Sequence, residues 1–273
     1  MKIEIGNINI ESILLSGACF RVIKEQDGSF TNILYDRVVN LKQENNYVIV
    51  KSSKEENLEE TIKEYFDLNR DYNKINNELL KKEPTLKNII DKCSDYRILN
   101  QNQFEMGISY ILSSANKVER ISNIVNNIAN KYGDKVIFNN KDYHLFPRYE
   151  QLKNINIEDL KEFKLGFRDK YIINYLNEYN KLKDIDSLND NEAIELLTSI
   201  KGIGLKVASC ILLFGYHRLD VFPIDTWVKK YMKENFVKSD KTNEIKKYSE
   251  EHFSPYSGLV IQYMFHATRN RKD

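Results

Sequence analysis

The chain has 273 residues, with 41 basic and 40 acidic side chains for a formal charge of +1. With 41% hydrophobic and 30% charged residues, it is expected to fold as one large or two modest domains around a packed core, which excludes a disordered chain. The balanced charge gives no support to a broadly basic nucleic-acid surface. Any such contact must come from local patches such as Lys201 to Lys233 or the tail residues Arg269, Arg271 and Lys272.

Residues 18 to 52 read as β-structure. Four short runs (Phe20 to Ile23, Asn32 to Tyr35, Val38 to Leu41, Tyr47 to Val50) are separated by Asp27-Gly28, Asp36-Arg37 and Asn45-Asn46, which are hairpin signals. From Glu56 the spacing turns helical, beginning with Leu58, Ile62 and Tyr65-Phe66. Beyond about residue 100 the pattern is helical throughout. Val118, Ile121, Val125 and Ile128 repeat at helical spacing toward a C-terminal cap at Gly133, and Phe146-Pro147 breaks the pattern. Helices follow at Glu158 to Phe163, Asp190 to Ile200, Lys206 to Phe214 and Thr226 to Met232. The expected architecture is α+β: an N-terminal antiparallel β domain with flanking helices over residues 1–95, then an all-helical body over 96–273.

Cys19, Cys93 and Cys210 are odd in number and widely spaced, which suits buried or site-lining thiols in a reducing compartment. The four histidines (His144, His217, His252, His266) show no pairing at metal-ligand spacing, so no metal cofactor is expected. No apolar run approaches the roughly 18 residues of a membrane-spanning helix. The opening MKIEIGNINIE lacks a secretory signal pattern, so a cytoplasmic protein with no membrane partner is expected.

The chemistry concentrates in one stretch. A helix ends near Ile200, Gly202 and Gly204 form a tight turn, and a new helix begins near Leu205. Glycines at a helix N-terminus leave N–H groups open to a phosphate oxygen, although an ordinary αα-hairpin uses the same residues. Lys206 falls in the first turn, at the positive end of the helix dipole, where a cation is disfavoured. Partial burial acts in the same direction, toward the neutral amine that nucleophilic attack requires. Lys206, Cys210 and Leu213 share one helical face and Val207, Ile211 and Phe214 another, so one face is free to line a pocket. Asp225 directly precedes the next helix, where it can act as an N-cap, present a carboxylate to a cleft, or do both.

The run from Ile200 to Asp225 resembles the helix-hairpin-helix plus Gly/Pro…Asp signature of the HhH-GPD superfamily of DNA base-excision glycosylases. Further segments, in family order from residue 16 to residue 265, are similar to the 8-oxoguanine DNA glycosylase/AP lyase branch. Ser16-Gly17-Ala18-Cys19-Phe20-Arg21 resembles its SGQxFR run, and Ser113-Ser114 with Asn116 and Arg120-Ile121 resembles its SSNNNxxRI segment. Leu165-Gly166-Phe167-Arg168 resembles LGYR, and Pro255-Tyr256-Ser257-Gly258 through Phe265 resembles PYAG…F. The absence of cysteine beyond Cys210 matches a branch without an iron–sulfur cluster, so no cofactor is implied.

The resemblance implies a monomer acting on damaged double-stranded DNA. Lys206 is then the nucleophile at C1′ of a flipped nucleotide, Asp225 its electrostatic partner, and strand cleavage follows through a Schiff base. It further implies that the Gly17 carbonyl accepts from N7–H of 8-oxoguanine and that Cys210 and Phe265 sandwich the base. Gly202 and Gly204 contact phosphate, Phe167 wedges into the duplex, and Asn116, Arg120 and Arg168 lie on the DNA side, the two arginines reading the orphaned cytosine. The chain departs from the family at Ala115 and Ile261, where asparagine and glutamine are usual, and at Trp227, a histidine in animal members. These departures imply a weaker preference for cytosine opposite the lesion. The rival readings are a monofunctional alkylated-base glycosylase and a non-catalytic DNA-binding module; Lys206 argues against the first, and Lys206 with Asp225 against the second.

Overall fold

The computed structural model describes residues 1–269; Arg271 and Lys272 of the basic tail lie outside the described residues, as does the side chain of Arg269. The chain opens with a short strand, β1 (Lys2–Glu4), and a one-turn helix, α1 (Ile10–Leu14), capped by the Asn9 side chain on the Ser12 N–H at 3.0 Å. Then β2 (Val22–Lys24), β3 (Phe30–Leu34), β4 (Arg37–Glu44) and β5 (Tyr47–Ser52) form an antiparallel meander. The sheet order is β1-β5-β4-β3-β2, so the first strand closes the far edge by pairing Ile3 with Val48.

Turn chemistry sets the register. Asn45, at φ 54, opens the two-residue turn that pairs Glu44 with Tyr47. The preceding turn is Tyr35-Asp36, one residue earlier than the Asp36-Arg37 expectation. Arg37 is drawn into β4 opposite Leu34, and its guanidinium donates to the Glu56 carbonyl at 2.7 Å.

Helices α2 (Leu58–Tyr65), α3 (Tyr72–Lys82) and α4 (Lys87–Cys93) flank the sheet in sequence. The body continues with α5 (Gln103–Leu112), α6 (Val118–Tyr132), α7 (Tyr149–Leu152), α8 (Ile157–Leu160) and α9 (Arg168–Glu178). It ends with α10 (Asp190–Ser199), α11 (Leu205–Phe214), α12 (Thr226–Met232), α13 (Thr242–His252) and α14 (Ser257–Arg269). The body is not wholly helical. A hairpin of β6 (Lys135–Phe138) and β7 (Lys141–His144) interrupts it, turning at Asn139 (φ 49) and Asn140 (φ 58).

One apolar core runs from the sheet into the body. At its centre lies α11, where every residue from Val207 to Phe214 is buried. The expected pocket face of Lys206, Cys210 and Leu213 therefore does not hold; the residues of α11 that line a cleft are instead Leu205, Lys206 and Ser209. Each Leu or Ile buried in this helix contributes roughly 1.5–3 kcal/mol relative to exposure, which fixes the helix that carries Lys206.

Candidate active site

The turn between α10 and α11 is built from both ends. Asn189 and Glu192 cap α10 reciprocally, with the Asn189 side chain accepting from the Glu192 N–H at 3.1 Å and Glu192 accepting in return at 2.9 Å. Of the two turn glycines, only Gly202 takes a left-handed conformation, at φ 108. A methyl group there would lie 2.2 Å from Cγ of Tyr171, so the hairpin backbone rests directly on that ring. Gly204 is extended at φ −90 and is the N-cap of α11; a methyl group there would meet no atom within 4 Å. The N–H groups of Leu205, Lys206 and Val207 lack intrahelical acceptors by position, and Leu205 beside them is exposed. The geometry suits an anion approaching the start of α11.

Lys206, half-buried, opens onto a cleft of about 670 Å³ walled by α10, α11, α13 and the 220–224 segment. Ser209, one turn on, faces the same cleft, while Cys210 is buried away from it. Burial pushes the Cys210 thiol up to about 12; the nearby Lys206 opposes the rise and Asp225 adds to it. Cys210 is therefore a neutral thiol in the field of an amine and a carboxylate at once. Asp225 caps α12, its Oδ1 accepting from the Val228 N–H at 2.9 Å. That bond fixes the carboxylate's orientation, so the cap and the charged group are one feature.

The Ser16 to Arg21 run reaches this centre through aromatic packing. Phe20 packs edge-on against Tyr110 at 5.8 Å, and Tyr110 stacks on Phe214 of α11 at 5.2 Å. Gly17 sits in the turn after α1 at φ 93, with the next carbonyl, that of Ala18, held by the Gln101 side chain at 3.0 Å. On the other side, Phe265 of α14 is 40% exposed and meets the edge of Trp227 at 5.3 Å; Trp227 in turn stacks on Tyr231 at 5.1 Å. Helix α14 is stitched at its start to the turn and loop leading to Asp225. The Asp220 carboxylate accepts from the Ser257 hydroxyl at 2.8 Å and the Gly258 N–H donates to the Leu219 carbonyl at 2.8 Å. A methyl group on Gly258 would sit 2.3 Å from the Val221 carbonyl, which explains glycine in the PYSG run. Tyr110, Gln101 and Asp220 carry no motif signal; their roles appear only in three dimensions.

A second cluster lies at the start of α9. Phe167 is 52% exposed, with the Arg168 guanidinium 4.5 Å from its ring centre and Tyr171 packed edge-on at 5.5 Å. Arg168 is buried and donates to the carbonyls of Ser114 (2.9 Å), Leu165 (3.0 Å) and Ala115 (3.1 Å), which pins the loop after α5. Burial and then the like charge of Arg120 lower its pKa. Arg120 is exposed and donates to the Lys164 carbonyl at 3.0 Å. Asn116 is turned inward, donating to the Leu112 carbonyl at 3.2 Å. Ala115 adopts φ 49, a conformation asparagine takes more readily than alanine. Lys206, Cys210 and Asp225 thus form one centre, and Phe167, Arg168 and Arg120 another.

No group of three or more His, Cys, Asp or Glu side chains able to hold a metal occurs among the described residues. A hairpin offering N–H groups beside a lysine and an oriented carboxylate defines an enzyme of the helix-hairpin-helix DNA-processing class. Residues 1–106 match the family "8-oxoguanine DNA glycosylase, N-terminal domain", and residues 108–255 match the "HhH-GPD superfamily base excision DNA repair protein" family. Over 97% of its length the chain superposes on 93% of the 8-oxoguanine glycosylase/lyase of Clostridium acetobutylicum, crystallised with DNA bearing cytosine opposite 8-oxoguanine. The TM-score is 0.89 and the identity 36%. A probable N-glycosylase/DNA lyase of Methanothermobacter thermautotrophicus is 25% identical over 99% of this chain and 96% of its own length. The N-glycosylase/DNA lyase of Saccharomyces cerevisiae is 32% identical over 55% of this chain and 44% of its own. The chain belongs to the HhH-GPD superfamily of base excision DNA repair proteins, in its 8-oxoguanine DNA glycosylase/AP lyase family. Membership defines a bifunctional glycosylase and lyase acting on damaged DNA.

Proposed function

We propose that the chain excises 8-oxoguanine from duplex DNA as a cytoplasmic monomer and cleaves the strand through a Schiff base on Lys206. The observation that carries this reading is Lys206 in the first turn of α11, open to the cleft, with the Asp225 carboxylate held in orientation by its cap on Val228. The Lys206 amine attacks C1′ of the flipped nucleotide, and the C1′–N9 bond breaks with its electron pair leaving on the base. Asp225 stabilises the positive charge that develops on the sugar. Ring opening gives the Schiff base, loss of a C2′ proton follows, and the 3′ phosphate departs by β-elimination. Cys210 and Phe265 offer a neutral thiol and an aromatic face to the base, and the Gly17 carbonyl accepts the N7–H that guanine lacks.

Borohydride trapping on a duplex with one 8-oxoguanine opposite C tests this reading. Wild type gives a covalent adduct and Lys206→Gln gives none; absence of an adduct with wild type, the lesion left intact, sinks it. On the opposite strand, Ala115 supplies no amide to a cytosine, so excision proceeds at comparable rates opposite C and A. Ala115→Asn, which also suits φ 49, raises the preference for C without loss of stability. A strong C preference in the wild type would refute the expectation.

A further inference from the structure

We infer that Tyr171 is a positioning residue that ties the hairpin to Phe167, so that phosphate contact and wedge insertion occur as one rigid event. The inference rests on the wedge and phosphate-contact roles expected above for Phe167 and the Gly202–Gly204 turn. Phe167, Tyr171 and Asn174 recur at i, i+4 and i+7, and so share one face of α9. Each makes a different connection. The Phe167 ring is backed by Tyr171 at 5.5 Å. The Tyr171 ring carries the backbone of Gly202, where even one methyl group would fall 2.2 Å from Cγ. Asn174 donates from Nδ2 to the Lys201 carbonyl at 3.0 Å, which holds the hairpin against the same face.

Tyr171, on which Gly202 rests, lies four residues beyond Phe167, about 6 Å along the helix axis, or nearly two base-pair steps of about 3.4 Å. Helix α9 thus acts as a ruler between the two DNA-facing points. Phe167 is 52% exposed, and with only the Arg168 guanidinium against it the ring would exchange rotamers more freely. With Tyr171 behind it, part of its ordering precedes binding, which is the condition for an efficient positioning step.

The test uses wild type, Phe167→Ala, Tyr171→Ala, Tyr171→Phe and the Phe167→Ala/Tyr171→Ala double variant. The duplex carries a tetrahydrofuran abasic site with 2-aminopurine opposite, so the damaged base does not enter the readout. Stopped-flow fluorescence reports displacement of the opposite base, and thermal unfolding is recorded in parallel. Tyr171→Ala slows displacement by on the order of ten- to a hundredfold, Tyr171→Phe restores it, and the double variant is no slower than Phe167→Ala. Multiplicative losses in the double variant, or wild-type displacement in Tyr171→Ala, overturn the proposal while leaving the wedge reading intact. Wild-type displacement in Phe167→Ala overturns both. Should Tyr171→Ala unfold, Tyr171→Leu keeps bulk against Gly202 without the planar face, and the same outcomes apply.

Discussion

Substituting alanine at the two hairpin glycines should separate folding from DNA contact. At Gly202 the added methyl group lies 2.2, 2.4 and 2.6 Å from three atoms of Tyr171, so something must move by more than 1 Å to reach ordinary contact. The ring cannot simply withdraw, because Phe167 packs against it. Overpacking of this kind costs about 1–3 kcal/mol, and the left-handed backbone at φ 108 adds about 1–2 kcal/mol for a residue with a Cβ. The sum, about 2–5 kcal/mol, corresponds to a fall in Tm on the order of 10 °C for a chain of this size. At Gly204 the methyl group meets nothing within 4 Å and the backbone is already extended. Only the N-cap preference changes, by about 1 kcal/mol or less. Gly204→Ala should therefore stay near the wild-type Tm yet bind duplex DNA more weakly, because the methyl group occupies the approach to the α11 N-terminus. Thermal unfolding and fluorescence-anisotropy titration with the same duplex would read both quantities. Equal stability of the two variants would refute the packing argument, and wild-type DNA affinity in Gly204→Ala would refute the phosphate contact.

Asp225→Asn keeps the side-chain cap on Val228 and loses the charge, so it should unfold like wild type while excision falls about 10²–10³-fold; Asp225→Ala should in addition lose about 1 kcal/mol of stability. Burial raises the Glu105 carboxyl to about 7, against the pull of Arg21, from 4.5 for an unburied group. The folded state thus holds this proton more tightly, so its stabilising contribution is full below about pH 4.5 and is lost as pH rises through about 7. In urea unfolding, Glu105→Gln should gain on wild type by on the order of 2–3 kcal/mol between about pH 5 and pH 8; parallel curves would contradict this. With its thiol near 12, Cys210 should react with iodoacetamide at neutral pH on the order of a thousandfold slower than a free cysteine, and rapid labelling of Cys210, read by peptide mapping, would show that the thiol is not held neutral.

The readable parts of the fold were those with local causes. Asparagine and glycine turns marked the meander, and Thr226–Met232 follows its cap at Asp225 as expected. The edge strand β1 escaped because three residues carry no periodicity and its pairing partner lies more than forty positions away. The β6–β7 hairpin did carry a signal, Asn139-Asn140, but the β7 sequence Lys-Asp-Tyr-His is too polar to read as a strand. At the site, Lys206 stood out because a cation is disfavoured at a helix N-terminus, whereas the position of Asp225 reads equally as a cap and only the family resemblance pointed to chemistry. What Arg168 holds was not legible: its acceptors are carbonyls, which every residue possesses, so only the folded chain reveals which ones it meets.

The stitch at the start of α14 makes the position of the Phe265 ring a remote property. Phe265 lies seven residues beyond Gly258, about 10.5 Å along the axis, so a tilt of roughly 10° about the stitch would swing its ring by nearly 2 Å. Asp220, Leu219 and Gly258 thereby work as the fulcrum of a lever whose far end is Phe265. If Phe265 contacts the base as proposed above, a change in that contact would arise from substitutions at Asp220, Leu219 or Gly258 with Phe265, Cys210 and Lys206 unchanged.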